Sequence, residues 1–556
     1  MSQRSGKTPP RKTKRPSRSQ RYAAREGLHR PAVELTVSLP QRQTEPESVV
    51  AHLGPTNSGK THDALQFLSE VGRGVYAAPL RMLAQEGHRR LGERLGADRV
   101  GLVTGEERIN EHAPIVCCTA EMAPMRGEVL VLDEVQWAED EERGSAWTRL
   151  MLGAEYRHIL LLGAVEALPL VENAFPEAEI KFFERKAPLD WIGGRSIEGL
   201  RPGSVVVAFS RKAVLALAGE VNLRHPDRVA VLYGAMPLSS RREEIERFTS
   251  GRADVCVATD VLGHGVNLPC ETLLFAETTK FDGESRRSLE PWEIAQIAGR
   301  AGRFGFHEKG HVGVLTGIPW AKPDPALVRD ALTPTVELPG GHRGYRIVDT
   351  GRLRPQLSDL NVSTPEELAP ALRAWRNVAL SLIGADSWLT VESIAPLLAR
   401  LDAVLESLRR HRRKLDVETV WKLINAPIDE DDGPLLGELA AAVARDSGAQ
   451  QQLRWLLDPG RLTEASLEEA ELAARQAAIL RWFALQFEGV GGVTLEKAAL
   501  LEEAAALAVI EHLRAEIESP TIGRCRSCGA VTAPWATLCD RCFQARGYRE
   551  RRPRAR

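Results

Sequence analysis

Residues 54–61 read GPTNSGKT and residues 296–303 read QIAGRAGR. The first stretch fits G-x-x-x-x-G-K-[ST], a loop whose glycines let backbone N–H groups converge on nucleotide phosphates. Read this way, Gly54, Pro55, Thr56, Asn57, Ser58, Gly59, Lys60 and Thr61 form an ATP cradle. Lys60 reaches the β- and γ-phosphates and the Thr61 hydroxyl holds Mg2+. The second stretch sets Arg300 three residues before Arg303 and one turn after Gln296. On a helix that spacing turns all three to one side, where arginines meet the charge that builds on a transferring phosphoryl group. A Gly-rich turn with a surface lysine is the plain alternative for an isolated loop of this kind. The arginine stretch about 240 residues downstream argues against it.

Residues 129–136, VLVLDEVQ, add a third element. An apolar run ending in two acids predicts a buried parallel strand that delivers carboxylates at its C-terminal edge. Asp133 is then the magnesium ligand, and Glu134 the base that orients and deprotonates the attacking water.

Working outward, VVAHLG, GVYAAP, PIVCCT, VLVLDE and HILLLG alternate with helical patterns over residues 49–183. A second alternation, SVVVAFS, RVAVLYG, DVCVATD, TLLFAE and HVGVLTG, runs over residues 204–317. Both predict parallel α/β sheets, hence two tandem domains with the phosphate loop and acids on one and the arginines on the other. From about Thr364 the pattern is helical: Leu472, Ile479, Leu480, Phe483 and Phe487 share one helix face behind a capping box of Ser466 and Glu469. Residues 494–517 predict another helix, and RRHRRK (409–414) puts a basic cluster on a further one. The hairpin-forming potential of residues 277–291, between the last two motifs, suits either a duplex-splitting element or a plain connection.

Cys525, Cys528, Cys539 and Cys542 form C-x2-C, ten residues, C-x2-C, the spacing of one tetrahedral Zn2+ site. Two disulfides are the rival, which a reducing compartment disfavours. Cys117, Cys118, Cys256 and Cys270 lie in apolar strand-like runs and are expected as buried core thiols.

The 556 residues divide into a disordered basic tail (1–45), a first ATP-binding domain (46–185), a second α/β domain (186–335), a helical accessory domain (336–520), a four-cysteine zinc module (521–545) and a second basic tail (546–556). Net charge is −2, yet residues 1–30 carry +9 and residues 543–556 carry +5, leaving −16 on the body. Cationic arms on an acidic body suit a polyanion, nucleic acid first, as well as a solubilising role. No apolar run approaches the length of a membrane span, and the N-terminus lacks an apolar signal-type stretch. The Arg/Ser-rich arm is like a transit peptide, but Pro9, Pro10 and Pro16 break an amphipathic helix.

These motifs resemble the superfamily-two helicases, and within them the mitochondrial degradosome RNA helicases of the Suv-three type and their bacterial relatives. The stretches that carry the resemblance are HLGPTNSGKT, APLRMLA (78–84), VTGEE (103–107), CTAEM (118–122), DEVQ (133–136), VAFSRKAV (207–214), VLYGAMP (231–237), ATDVLGHGVNLP (258–269) and QIAGRAGRFG (296–305). LINAPID (423–429) resembles the family's accessory domain. GAVEA (163–167) departs from the Ser-Ala-Thr of many helicases, and the zinc module and basic arms lie outside the family pattern.

The resemblance implies two RecA-like domains and ATP-driven unwinding of RNA, moving 3′ to 5′, with some activity on DNA or hybrids and an exoribonuclease as partner. It assigns backbone contacts to Arg81, Thr119, Ser210, Arg211 and Thr259, and links ATP to that grip through Asp260 and Gly265. A bacterial cytoplasm is the expected location, with the mitochondrial matrix as the alternative. A DNA or hybrid translocase in repair shares the same engine. A non-catalytic scaffold is disfavoured by the intact Lys60, Asp133, Glu134, Gln296, Arg300 and Arg303.

Overall fold

The computed structural model describes residues 39–262, 268–282, 285–302, 308–384, 387–519, 523–539 and 541–543. Gly265, Arg303 and the segments 1–38 and 546–556 lie outside the described residues.

The first domain is one sheet of β1 (Ser48–Leu53), β2 (Gly74–Ala78), β3 (Val100–Val103), β4 (Arg108–Ile109), β5 (Ile115–Thr119), β6 (Arg126–Leu132), β7 (Glu155–Gly163) and β8 (Glu179–Phe182), ordered β4-β3-β5-β2-β6-β7-β1-β8. Every pairing is parallel except β3 with β4. The second is a parallel sheet of β9 (Leu189–Arg195), β10 (Ser204–Val207), β11 (Val229–Leu232), β12 (Val255–Ala258), β13 (Thr272–Phe275) and β16 (Gly310–Leu315), ordered β11-β12-β10-β13-β16-β9. Between β13 and β16, β14 (Thr279–Phe281) and β15 (Arg286–Ser288) pair antiparallel, so the hairpin forms. Central strands such as GVYAA and VLVL are buried on both faces, which is why they read as unbroken apolar runs. Cys117, Cys118, Cys256 and Cys270 are buried as expected, and burial pushes the Cys270 thiol up to about 12.

Residues 39–47, placed with the basic tail or the domain's start in the sequence reading, run along the first domain. Arg42 N–H donates to the Leu152 carbonyl at 3.1 Å, and its guanidinium lies over the Phe175 ring.

After the second domain the chain returns to the first. Val348 enters the first domain's core, its N–H donating to the Glu166 carbonyl at 3.0 Å, and Arg352 N–H donates to Thr148 Oγ1 at 2.8 Å. The accessory helices then build their own core, with Trp375, Leu401, Leu436, Leu480 and Phe483 inside. The helix Leu467–Gln486 starts at the expected capping box, and Leu495–Glu518 follows Thr494 as its cap. Leu472 departs from the expected face: it is exposed, while Ala470, Ala473 and Ala474 turn inward and let the helix pack closely. The basic run 409–414 is not helical throughout. The helix Ala395–Arg410 ends first, and Arg412 adopts a left-handed φ of 53°.

These last two helices pack on the second domain. Val509, Leu513 and Ile517 join its core, and Tyr233 Oη donates to Glu471 at 2.7 Å. The accessory region thus has one foot on each α/β domain. Among the described residues, no helix is long and apolar enough to cross a membrane.

Candidate nucleotide site between the two domains

The phosphate loop follows β1 and leads into the helix Lys60–Val71. Its conformation explains its residues. Asn57 (φ 64°) and Gly59 (φ 96°) sit in the left-handed region, and a Cβ at Gly54 would collide with the Phe183 carbonyl. The loop therefore presents its amides and the helix N-terminus to one concave space, a ready anion site. Lys60 is folded back, its Nζ donating to the carbonyls of Gly54 (2.9 Å) and Pro55 (3.3 Å). Ser58 Oγ is buried and makes no hydrogen bond among the described residues. A donor this deep in a loop of amides fits a phosphate oxygen.

β6 delivers Asp133, buried, with its Oδ2 accepting from Tyr76 Oη at 2.7 Å and its Oδ1 from the Glu134 N–H at 2.9 Å. Burial, then the neighbouring Glu134, pushes the Asp133 carboxyl up to about 6, while Tyr76 and Lys60 pull the other way. A divalent cation there would favour the ionised form strongly, so an acidic ligand paired with the Thr61 hydroxyl at the helix start fits Mg2+. Trp147, fully buried, donates its Nε1–H to the Asp133 carbonyl at 2.9 Å and braces the strand end. Glu134 is itself left-handed (φ 53°), a cost the site bears to aim its side chain into the cleft.

The cleft measures about 460 Å³. Thr56 to Thr61, Asp133 and Glu134 line it from the first domain, and Arg300 from the second. Burial lowers the Arg300 pKa, and the charges of Glu134 and Asp133 oppose that shift. Arg300 does not extend a helix. The helix Pro291–Ala298 ends at Gly299, and the chain turns at Gly302 (φ 68°), where a Cβ would meet the Gly310 backbone. Beyond Gly299 one last turn closes through Arg300 N–H to Ile297 and Ala301 N–H to Ala298, both at 3.0 Å, before Gly302 N–H donates to the Cys270 carbonyl at 2.8 Å. The expectation of one helix under Gln296, Arg300 and Arg303 is therefore corrected, because the helix ends at Ala298. Gln296 stays on the helix, Arg300 lines the cleft from the turn after it, and Arg303 is outside the described residues.

Four contributors escaped the sequence reading. Gln136 donates its Nε2–H to Glu134 and accepts the Ala164 N–H at 3.1 Å, so the GAVEA segment couples to the acids through a backbone amide. Tyr76 is the second, with no signal beyond its place in an apolar strand. The others are the linker residues Arg185 and Lys186. Arg185 donates to the carbonyls of Thr56 (3.1 Å), Gly299 (2.8 Å) and Ala301. Lys186 lines the cleft beside Gly59. A basic pair in a linker carries no motif.

The chain matches two family models: the DEXQ-box helicase domain of Suv3 over residues 38–183, and the helicase conserved C-terminal domain over residues 195–305. Both α/β domains thus match helicase domain models, the first of them of the Suv3 type. Similar proteins include the ATP-dependent RNA helicase SUV3, mitochondrial, of Saccharomyces paradoxus, 39% identical over 46% of this chain and 36% of that one. The DExH-box ATP-dependent RNA helicase DExH16, mitochondrial, of Arabidopsis thaliana is 34% identical over 54% of this chain and 56% of its own. The human ATP-dependent RNA helicase SUPV3L1, mitochondrial, is 34% identical over 48% and 36%. The matched region thus spans between about a third and just over half of these relatives' length. All three are named mitochondrial, which overturns the expectation of a bacterial cytoplasm in favour of the mitochondrial alternative.

In this helicase core the residues expected at nucleic acid fall into two groups. Thr119 and Thr259 are buried at the ends of β5 and β12, and Ser210 caps the helix Arg211–Asn222 by accepting the Ala213 N–H at 3.1 Å. The two arginines are engaged by acids: Arg81 with Glu106, Arg211 with Glu471 and, at 3.0 Å, with Glu468 of the accessory helix. Asp260 lies 3.9 Å from Lys280 of the hairpin.

The four C-terminal cysteines converge, their Sγ atoms all within 4.8 Å of one another and Cys528 3.6 Å from Cys539. Tetrahedral Zn–S bonds of about 2.3 Å need sulfurs about 3.8 Å apart, so the donor set fits one zinc. Backbone N–H groups, that of Cys539 foremost, pull the Cys525 thiol down to about 6. The module rests on the second domain, Trp535 meeting Trp320 edge-on at 5.5 Å.

Proposed function

We propose that the chain is an ATP-dependent RNA helicase that hydrolyses ATP between its two α/β domains and couples that hydrolysis to movement along a strand. The observation that carries this reading is the single cleft holding the phosphate loop, both acids and Arg300 from the opposite domain. In the proposed reaction Lys60 and the loop amides bind the triphosphate, and Thr61 and Asp133 hold Mg2+, which neutralises phosphate charge when bound. Glu134 takes the proton of the attacking water, and Arg300 stabilises charge on the transferred group. Because the groups come from two domains, turnover requires closure, and closure changes the spacing of the strand-gripping residues.

The same reading places Arg81, Thr119, Ser210, Arg211 and Thr259 at the phosphate backbone, where contacts carry no sequence preference. For the arginines, the acids that now hold them must give way to phosphate. Polarity of 3′ to 5′, a mitochondrial matrix location and an exoribonuclease partner belong to the proposal through the resemblance and the relatives' names. ATPase activity measured with single-stranded RNA, single-stranded DNA and neither tests it: RNA should stimulate most. Equal stimulation by DNA would favour the repair-translocase reading, and no nucleic-acid dependence would reject both.

The cysteine module is proposed as a structural zinc site that adds affinity. Four thiolates leave no coordination position for water. Purified protein should hold one zinc under reducing conditions. Removing residues 521–556 should leave basal ATP hydrolysis intact, raise the RNA concentration needed for stimulation, and flatten its salt dependence, since the Arg-rich tail goes too. Unchanged RNA affinity at every salt concentration would assign the module to protein docking.

A further inference from the structure

Arg185 sits in the linker between the two domains, and among the described residues its guanidinium hydrogen bonds go to backbone carbonyls. Nε donates to Ala187 at 2.6 Å, Nη1 to Thr56 at 3.1 Å and to Gly299 at 2.8 Å, and Nη2 to Ala301. Gly299 and Ala301 are the residues on either side of Arg300, and Thr56 is in the phosphate loop. One planar fork therefore clamps the peptide units flanking Arg300 and ties them to the loop that faces it. Asn57 Nδ2 makes a parallel bond to the Gly299 carbonyl at 3.0 Å. Partial burial lowers the Arg185 pKa to about 10.

We infer that Arg185 is a positioning residue that sets Arg300 at its distance from the phosphate loop, so that the linker itself registers the two halves of the nucleotide site. The inference rests on the ATPase reading above. Its physical basis is that the helix ends at Ala298, and the segment beyond it keeps only single-turn backbone bonds, Arg300 N–H to Ile297 and Ala301 N–H to Ala298 at 3.0 Å each. Arg185 and the Cys270 backbone add the restraints that tie this turn to the phosphate loop and the sheet. A lysine cannot replace it, because a compact ammonium cannot reach three carbonyls spread across two loops in one plane.

The test uses the full chain with R185Q, R185K, R300A and the R185Q/R300A double variant. At saturating single-stranded RNA, R185Q and R185K should each lower kcat roughly 10- to 100-fold, the loss expected when a catalytic group is misplaced by about 1 Å. ATP KM should move less than about threefold. Adding R185Q to R300A should cost nothing further, because residues acting as one unit are not additive. Hydrogen exchange of the nucleotide-free protein supplies a readout independent of turnover: peptides covering 54–59 and 299–302 should exchange faster in R185Q, with the rest of the core unchanged. A wild-type kcat in R185Q, full rescue by lysine, a multiplicative loss in the double variant, or unaltered exchange would each overturn the positioning role. Turnover that survives K60A would reject the ATPase reading instead, leaving the exchange result to decide the clamp.

Discussion

Arg300→Ala should lower ATP turnover by about three orders of magnitude while ATP still binds. The guanidinium reaches the cleft from the second domain and faces Asp133 and Glu134. The triphosphate itself would be held by the first domain's loop amides and Lys60, so ground-state binding survives the change. The charge that Arg300 opposes develops only as the phosphoryl group transfers, and arginines in that role are worth about 10³ to 10⁵ in kcat. Single-turnover hydrolysis at saturating ATP and RNA measures the effect. A variant that lost ATP affinity alone, with normal turnover at saturation, would move Arg300 from transition-state stabilisation to simple nucleotide binding.

Glu134→Gln should lower turnover by about 10² to 10⁴, the range for removing a general base. The substitution preserves shape, and Gln136 can still bond to the new amide oxygen as it does to the carboxylate. The Asp133 anchor to Tyr76 and Trp147 is untouched. ATP should therefore bind, the domains should close, and RNA should stay captured in an ATP-dependent complex that native gels or filter retention detect. Undiminished turnover in this variant would remove Glu134 from the base role.

The engine was legible because its chemistry needs fixed residue types at fixed spacings. A phosphate loop must place glycine-like backbones at positive φ before a lysine, and the structure puts Asn57 and Gly59 there. Buried parallel strands must be apolar throughout, and β1, β2, β5, β6 and β7 were all readable on that ground. The edge strands β8 and β9 were not, because an edge with one partner tolerates polar and glycine residues (EIKF, LDWIGGR) and loses the pattern. Spacing misled at Arg300, where three-residue periodicity suggested a helix that Gly299 had already ended. Arg185 was invisible, and Gln136 was quoted within DEVQ without a role, for a different reason. The Arg185 partners are backbone carbonyls, and the distant Gln136 partner is the Ala164 amide; such partners are brought close by tertiary structure and leave no trace in sequence. The arginines given to RNA raise a similar point: a motif names a residue, while the neighbouring Glu468 and Glu471 decide what it holds in this state.

The accessory region's footing on both α/β domains has a mechanical consequence. Two bodies joined by one tether can slide, twist and separate independently. Here the second domain is moored to the first twice, by the short linker through Arg185 and by the returning chain whose Val348 is buried in the first core while Val509 and Leu513 are buried in the second. Two moorings define an axis, and swinging about that axis is the cheapest displacement left. An ATP cycle acting on such a frame would drive a door rather than a loose clamp, opening and shutting the nucleotide cleft along one arc.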